Sequence, residues 1–153
     1  MTVDPGLERS HDIVDVLQTQ HRRLRQLLGQ VQALRGYEKA DAFLTLVTFV
    51  DRHESAEQSV VHPAVRDAVI GGIAIADEQI AEEGRIDKAM ARLQEIDVDA
   101  PTFDDDYVVF REAMLAHMAI EDEIEIARLR DALSAEQREH LGREFTTAQL
   151  AMI

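Results

Sequence analysis

The sequence predicts an all-α protein, an antiparallel up-down-up-down four-helix bundle with a short C-terminal fifth helix. Four long segments repeat apolar residues at steps of three and four, which places those residues on one face of a helix. Only seven glycines and three prolines occur in 153 residues, so few positions interrupt a helix. The connections between the four segments are short, and short connections favour antiparallel neighbours.

Each apolar stripe contains histidine or carboxylate residues near its middle. The first and second stripes comprise Val14, Leu17, His21, Leu24, Leu28 and Val31, then Phe43, Leu46, Val50, His53, Glu57, Val60 and Ala64. The third and fourth comprise Ile73, Ala76, Ile80, Glu83, Asp87 and Met90, then Phe103, Tyr107, Phe110, Met114, His117, Glu121 and Ile124. Buried ionisable groups are costly unless they are paired or bind a metal, so the stripes predict a polar site inside the bundle.

The first two helices are bounded by glycine and proline. We predict the first helix at about Asp12–Leu34, because Gly36 suits the left-handed position that follows a helix. The second helix is predicted from about Ala40 through Val61. Pro63 is expected to kink or end it, since proline lacks the backbone N–H that a helix interior requires.

The remaining helices follow the same logic. We predict the third helix at about Ile73–Ile96 and the fourth at Phe103–Ala132. Ser134 and Gln137 have the spacing of a capping box, which begins a fifth helix at about residues 134–150. The whole chain, 1–153, is then expected to form one domain with a bundle core at about 12–132.

Composition excludes several classes of function. The formal net charge is −14, so nucleic acid and anionic membrane surfaces are disfavoured as partners. The chain has no cysteine, which excludes disulfides and thiolate metal sites. The opening residues lack the apolar region of a secretory signal, and no segment has the apolar length of a membrane span, so a cytoplasmic location is the default expectation.

Two His-x-x-x-Glu pairs, His53 with Glu57 and His117 with Glu121, place an imidazole and a carboxylate one helical turn apart. Their positions on the stripes make an ordinary surface contact an insufficient explanation. The predicted metal ligands are three histidines and four carboxylates, enough for two ions: His21, His53, Glu57, Glu83, Asp87, His117 and Glu121. This mixture favours iron or manganese over structural zinc.

Several alternatives remain open for the site. Glu82 could replace Glu83, because helix three has a second candidate inward face. Glu54 normally faces solvent but could turn inward, whereas His62 lies about 180° from His53 on an ideal helix and is expected to be a surface group or to contact a ligand. A metal-free bundle, in which the polar layer only sets packing specificity, is a further hypothesis.

The motifs resemble those of the hemerythrin-like, or HHE cation-binding, family. The resemblance covers about residues 10–132 and includes a lone histidine in helix one, Arg52-His53-Glu54 leading through Glu57 to Pro63, and Leu115-Ala116-His117 leading to Glu121. It implies a non-haem di-iron centre that reacts with oxygen species. The expected cofactor is two iron ions (Fe²⁺/Fe³⁺), oxo- or hydroxo-bridged, with the three histidines as terminal ligands and with Glu57 and Glu121 as bridging carboxylates.

Helix three departs from the family pattern, because Glu83 and Asp87 stand where family members usually carry histidine. Anionic oxygen ligands favour the ferric state, so we expect oxygen or peroxide to be reduced rather than carried reversibly. Catalase-like or peroxidase-like activity and ferrous-iron oxidation fit this expectation. The alternative is a module that binds or senses oxygen, nitric oxide or iron without turnover. The expected partners are therefore small molecules, namely hydrogen peroxide, dioxygen or nitric oxide, and the sequence specifies no protein partner.

Overall fold

A computed structural model of the chain describes residues 10–152. The opening residues, in which no apolar signal region was predicted, lie mostly outside this range. The structure is 87% helical and is an all-α bundle with a short C-terminal helix, as predicted. The helices are α1 (Ile13–Ala33), α2 (Gly36–Ala56), π1 (Glu57–Val61), α3 (His62–Ala68), α4 (Gly72–Gln94), α5 (Pro101–Ile120), π2 (Glu121–Ile126), α6 (Ala127–Ala132) and α7 (Ala135–Leu150). Within residues 10–152, none of the helices has the length and apolar character that crossing a lipid bilayer requires.

The second bundle helix is longer than predicted at both ends. Gly36 adopts a left-handed backbone, with φ +58°. It is also the first residue of α2, so the prediction that the second helix begins near Ala40 was wrong. Pro63 does not end the helix, which continues through α3. The proline is the second residue of α3, just after π1, where the regular α-helical bonding is already interrupted, so its missing N–H removes little.

Two π-helical turns interrupt the second and fourth bundle helices at equivalent places. π1 begins at Glu57 and π2 begins at Glu121, and the N–H of His62 bonds to the carbonyl of Glu57. A π turn adds one residue to the local turn, which rotates the following residues by roughly 100° relative to an unbroken α-helix. Both glutamates of the predicted His-x-x-x-Glu pairs therefore stand at a change of helix register.

This change of register corrects the predicted stripes beyond each π turn. Ile124 was predicted to face inward but is 38% exposed, and Glu125 is buried in its place. In the second helix Ala64 is only partly buried, whereas Val65 is fully buried. Strict α-helical spacing fails here because it assumes no inserted residue.

The polar residues lie between two apolar clusters. One cluster, at one end of the bundle, contains Leu24, Leu46, Ile86 and Phe110. The other contains Ile13, Leu17, Val65, Ile126 and Phe145. Along every bundle helix the histidines and glutamates separate residues of one cluster from residues of the other, so the site is a buried layer near the middle of the bundle.

The buried face of α4 includes residues from both of the inward faces that the sequence predicted as alternatives. Ala76, Glu83 and Met90 of the predicted stripe are buried, but Ile73 is 62% exposed, which contradicts its assignment to the core. Gln79, Ile86 and Leu93 are buried from the alternative face. Helix α4 therefore presents a broad inward surface with Glu83 at its centre.

The C-terminal helix α7 packs on α1, α2 and π1. The predicted capping box is confirmed, because the Ser134 side chain accepts from the Gln137 N–H and the Gln137 side chain accepts from the Ser134 N–H. Phe145 is fully buried in the cluster around Leu17. Gly142 lies against the backbone of residues 11–13, at a distance that leaves no room for a side chain.

Gly142→Ala is therefore expected to destabilise the protein by roughly 2 kcal/mol, because overpacking at a backbone contact forces the helices apart. A Cβ at this position would come within 2.6 Å of the carbonyl carbon of His11. Gly84→Ala in α4 is the matched control, since its Cβ would meet no atom within 4 Å; it is expected to stabilise the helix by up to about 1 kcal/mol. Urea denaturation of both variants checks the pair, and equal stabilities would contradict this account of α7.

Candidate metal centre

Four predicted ligands converge in a first group at the centre of the bundle. His21, His53, Glu57 and Glu121 each offer one ligand atom, and these four atoms all lie within 4.8 Å of one another. Each of the four side chains is no more than 3% exposed. They come from α1, α2, π1 and π2, so three of the bundle helices meet here.

The two histidines of this group are held by hydrogen bonds on the outer side of their rings. His21 Nδ1 lies 2.7 Å from an oxygen of Asp122, and His53 Nδ1 lies 2.8 Å from Oε1 of Gln20. Both Nε2 atoms face the interior, where that of His21 has no hydrogen-bond partner among the described residues and that of His53 contacts Oε1 of Glu57. An imidazole ring held through its outer nitrogen, with the other nitrogen directed at further ligands, is the usual arrangement of a metal-binding histidine.

A second group lies next to the first and shares Glu57 with it. Its ligand atoms come from Glu57, His62 and Glu83, again within 4.8 Å of one another. His62 Nε2 lies 2.5 Å from Glu83 Oε1, and His62 Nδ1 lies 2.6 Å from Glu125 Oε1. All four of these side chains are buried. Glu57 thus stands between two clusters of potential ligands.

His62 and Glu125 are the residues that sequence reasoning missed. His62 was expected at the surface or in contact with a ligand, yet it is fully buried and belongs to the second group. The π turn between Glu57 and His62 reduces their angular separation and brings both onto the inward face. The one available signal was Pro63, which marks the irregular backbone of this helix.

The other predicted ligands lie around these groups. Glu83 is fully buried, whereas Glu82 is half-buried and pairs with Arg85, so the structure distinguishes these two alternatives. His117 belongs to neither group, but its Nε2 lies 2.7 Å from Oε1 of Glu121. Its Nδ1 is buried and, within the described part of the chain, has no hydrogen-bond partner.

Asp87 is not brought into either group, although it was predicted as a ligand. It is half-buried on α4 and interacts with Glu54, which turns inward and is only 6% exposed. Burial and the hydrogen bond with Asp87 raise the pKa of Glu54 to about 11. Glu54 and Asp87 therefore form a carboxyl pair at the edge of the site, with Glu54 neutral in the absence of a cation.

The protonation of the histidines follows their neighbours. Burial, reinforced by the nearby His21, lowers the pKa of His53 to about 3, so this ring is neutral. Burial alone would lower the pKa of His62, but hydrogen bonds to Glu125 and Glu83 raise it to about 10. The two groups thus differ, since His53 can bind a cation directly and His62 must lose a proton first.

The central carboxyls repel one another. Burial, together with the adjacent Glu121, raises the pKa of Glu57 well above its ordinary value. Burial would also raise the pKa of Glu121, but hydrogen bonds with Glu57 and His117 lower it below the ordinary range. The pair therefore holds one proton between two carboxyls in the absence of a cation.

The residues fit a pair of divalent cations. The ring nitrogens His21 Nε2 and His117 Nδ1 are buried and lack hydrogen-bond partners in the described chain, and Glu57 is surrounded by Glu121, Glu83 and Glu125, which all disfavour its charged form. Buried polar atoms without partners are rare and costly, and the surrounding carboxyls carry excess negative charge. A cation at each group would satisfy these atoms and replace the protons that the carboxyls otherwise hold.

Comparisons with known proteins agree with this geometry. The family model described as "Hemerythrin HHE cation binding domain" matches residues 12–129. A protein of Nostoc sp. named "DNA nickase" is 24% identical over 139 residues, which cover 90% of this chain and 39% of that protein. The chain therefore spans well under half the length of this curated relative. No solved structure matches the chain significantly.

Proposed function

Because the chain belongs to the hemerythrin HHE cation-binding domain family, we propose that it holds two non-haem iron ions and disproportionates peroxide, or reduces peroxide or dioxygen with electrons from ferrous iron, which becomes ferric. The family and the buried His/Glu groups support metal binding. The observation that carries the proposal is Glu57, a fully buried carboxyl that belongs to both ligand groups. A carboxylate in this position can bridge two metal ions.

The proposed ligands follow the two groups. His21, His53, Glu57 and Glu121 would hold one ion, and Glu57, His62 and Glu83 would hold the other. Glu125 would orient His62 through its Nδ1. His117 stays among the proposed ligands, because its Nε2 contacts Glu121 and its buried Nδ1 points to no partner in the described chain. Asp87 stays at the edge of the site as the partner of Glu54.

The chain's residues create the conditions for this chemistry. Two iron ions, when bound, would supply redox cycling between the ferrous and ferric states. The carboxylates Glu57, Glu83 and Glu121 favour the ferric state by their charge. The apolar cluster that includes Phe110, Met114 and Met118 lies on one side of the polar layer and excludes bulk water from it.

Peroxide turnover tests the proposed reaction. Protein loaded anaerobically with ferrous iron is mixed with hydrogen peroxide, and oxygen release is followed with an electrode together with the absorption spectrum. We expect many equivalents of peroxide to be consumed per chain, two peroxides giving one dioxygen and two waters. Consumption limited to about one equivalent, with a stable or reversible spectrum, would contradict the enzyme and favour a module that binds oxygen or nitric oxide.

DNA is a less suitable substrate than peroxide, despite the similarity to a protein named for DNA nicking. The net charge of −14 opposes binding to the phosphate backbone. We expect supercoiled plasmid to remain intact with the iron-loaded protein when peroxide is excluded, as judged by gel electrophoresis. Nicking at stoichiometric protein, abolished by Glu57→Gln, would instead assign the nickase activity to this domain.

A further inference from the structure

Three carboxyl side chains lie between α2 and α4, outside both ligand groups. Glu54 of α2 contacts Asp87 of α4. Asp51 lies three residues before Glu54, and burial together with the nearby Asp87 raises its pKa. The three carboxyls differ in depth, because Asp51 is exposed, Asp87 is half-buried and Glu54 is only 6% exposed. This carboxyl cluster therefore leads from the surface of the bundle toward its interior.

The inner part of the carboxyl cluster has oxygens but no donor to satisfy them. Glu54 Oε1 and Asp87 Oδ1 are both buried, and neither accepts a hydrogen bond from an N–H or O–H group of the described residues. The ion pairs that lysines and arginines form within residues 10–152 all involve other carboxylates. Two adjacent carboxyls without a donor stay together by sharing a proton or by binding a cation, because their charges otherwise repel.

The inner end of the carboxyl cluster adjoins the second ligand group. Glu83, a member of that group, lies one turn before Asp87 on α4, so both carboxyls are on the same side of the helix. Burial, then Asp87 and Glu83, raise the pKa of Glu54, so its carboxyl lies within reach of both. Glu83 Oε2 also accepts from Nε2 of the exposed Gln58 at 3.4 Å. A row of oxygen atoms thus connects solvent with the second group.

The packing of the helices makes this side of the bundle the suitable entrance for an ion. Helix α4 packs closely on α3 and α5, whereas its backbone stands further from α2. The two apolar clusters lie above and below the polar layer, so an ion that moved along the bundle axis would lose its water without gaining ligands. Between α2 and α4 the carboxylates replace that water, and their charge concentrates cations from solvent.

We propose that Glu54 and Asp87 form a third cation site, with Asp51 at its outer end, through which divalent cations pass from solvent to Glu83 and the second ligand group. Oxygen ligands alone suit a partly hydrated divalent ion that is held weakly. The ligand groups add imidazole nitrogens, which bind iron more firmly and so draw the ion inward. Cation binding at Glu54 and Asp87 is independent of the proposed function, whereas the transfer to the second group rests on it.

Loading kinetics on the full chain test the transfer. Metal-free protein is mixed with Co²⁺ in a stopped-flow instrument, the absorption of bound Co²⁺ gives the rate, and Co²⁺ per chain is measured at the end. Asp87→Asn and Glu54→Gln each remove one charge and keep the shape of the side chain. Glu78→Gln, at an exposed position of the same helix α4, is the matched control. Circular dichroism records whether each variant keeps its helices.

We expect Asp87→Asn and Glu54→Gln to take up Co²⁺ about tenfold more slowly than the unmodified protein, because the attraction at the entrance is weakened. Both variants are expected to reach the same final amount, and Glu78→Gln is expected to load at the unmodified rate. Unchanged rates in both variants would overturn the proposal. A lower final amount in Asp87→Asn would also overturn it, since Asp87 would then be a permanent ligand and not a transit site.

A second measurement separates the third cation site from the proposed function. Mn²⁺ binding is measured from the electron paramagnetic resonance signal of the free ion in Glu57→Gln, in which both ligand groups lose their shared carboxylate. The Mn²⁺ affinity that remains is expected to fall severalfold when Asp87→Asn is added and to stay the same when Glu78→Gln is added. Equal affinity with and without Asp87→Asn would overturn the third site. Failure of the unmodified protein to take up Co²⁺ would contradict the proposed function, while the Mn²⁺ measurement would still decide the third site.

Discussion

Replacing Glu57 with glutamine is expected to reduce iron binding from two ions per chain to less than one. Glu57 belongs to both ligand groups, so its charge and its second oxygen are lost to both proposed ions at once. Glutamine has nearly the same shape, which separates the loss of the carboxylate from a loss of packing. The measurement is iron per chain after anaerobic loading and removal of unbound metal.

Two further variants test whether the loss of iron is specific to Glu57, the residue that both ligand groups share. Glu121→Gln removes a member of the first group only and is expected to weaken one ion. The exposed Glu78→Gln on α4 serves as the control that alters the net charge equally. The double variant Glu57→Ala with Glu121→Ala is expected to bind no iron, and a double variant that retains two ions would refute the proposed ligands.

The metal-free protein is expected to lose stability as the pH rises above 6.5, and Glu54→Gln is expected to reduce that loss. The pKa of Glu54 is about 11 in the folded state and 4.5 in the unfolded state. The folded state therefore keeps a proton that the unfolded state releases, and the stability present below pH 4.5 falls as the pH rises toward 11. Glutamine stays neutral at every pH, so the variant is expected to be roughly 2 kcal/mol more stable at pH 8.

His62 contributes in the same direction. Its pKa is raised from 6.5 to about 10 by Glu125 and Glu83, so its ion pairs stabilise the fold fully below pH 6.5 and less as the pH approaches 10. His53, with a lowered pKa, opposes this trend only below pH 6.5. Urea denaturation at pH 7 and pH 9 measures the effect. A stability of Glu54→Gln below that of the unmodified protein at pH 8 would contradict a neutral, buried Glu54.

Helical periodicity was sufficient to predict the bundle but not the details of its backbone. The stripes around His21 and His53 were correct because α1 and α2 are regular helices up to Glu57. Beyond Glu57 and Glu121 the spacing failed, since each π turn adds a residue that no apolar pattern marks.

The same π turns decided which site residues could be predicted. Residues before or at the turns, such as His53, Glu57 and Glu121, lie where the sequence placed them. His62 and Glu125 lie beyond the turns and were missed for that reason. Asp87 was predicted as a ligand because it lies four residues after Glu83, and this spacing does keep it near the inward face of α4. Helical spacing alone could not show that its side chain lies beside Glu54 at the edge of the site.

The contribution of α7 could not be inferred from the motifs. Gln20 and Gln149 are separated by 129 residues, and glutamine is common on exposed helix surfaces. The packing of Phe145 and Gly142 against the bundle places Gln149 beside Gln20. Contacts between residues so far apart in the sequence depend on the assembled fold.

The number of iron ions bound by the unmodified protein tests the central claim most directly. The protein is loaded anaerobically with ferrous iron, freed of unbound metal, and assayed for iron per chain, with Glu57→Gln processed in parallel. Two ions per chain, lost in the variant, is the result that the shared position of Glu57 predicts. No retained iron, or the same amount in both proteins, would contradict a di-iron centre at these residues.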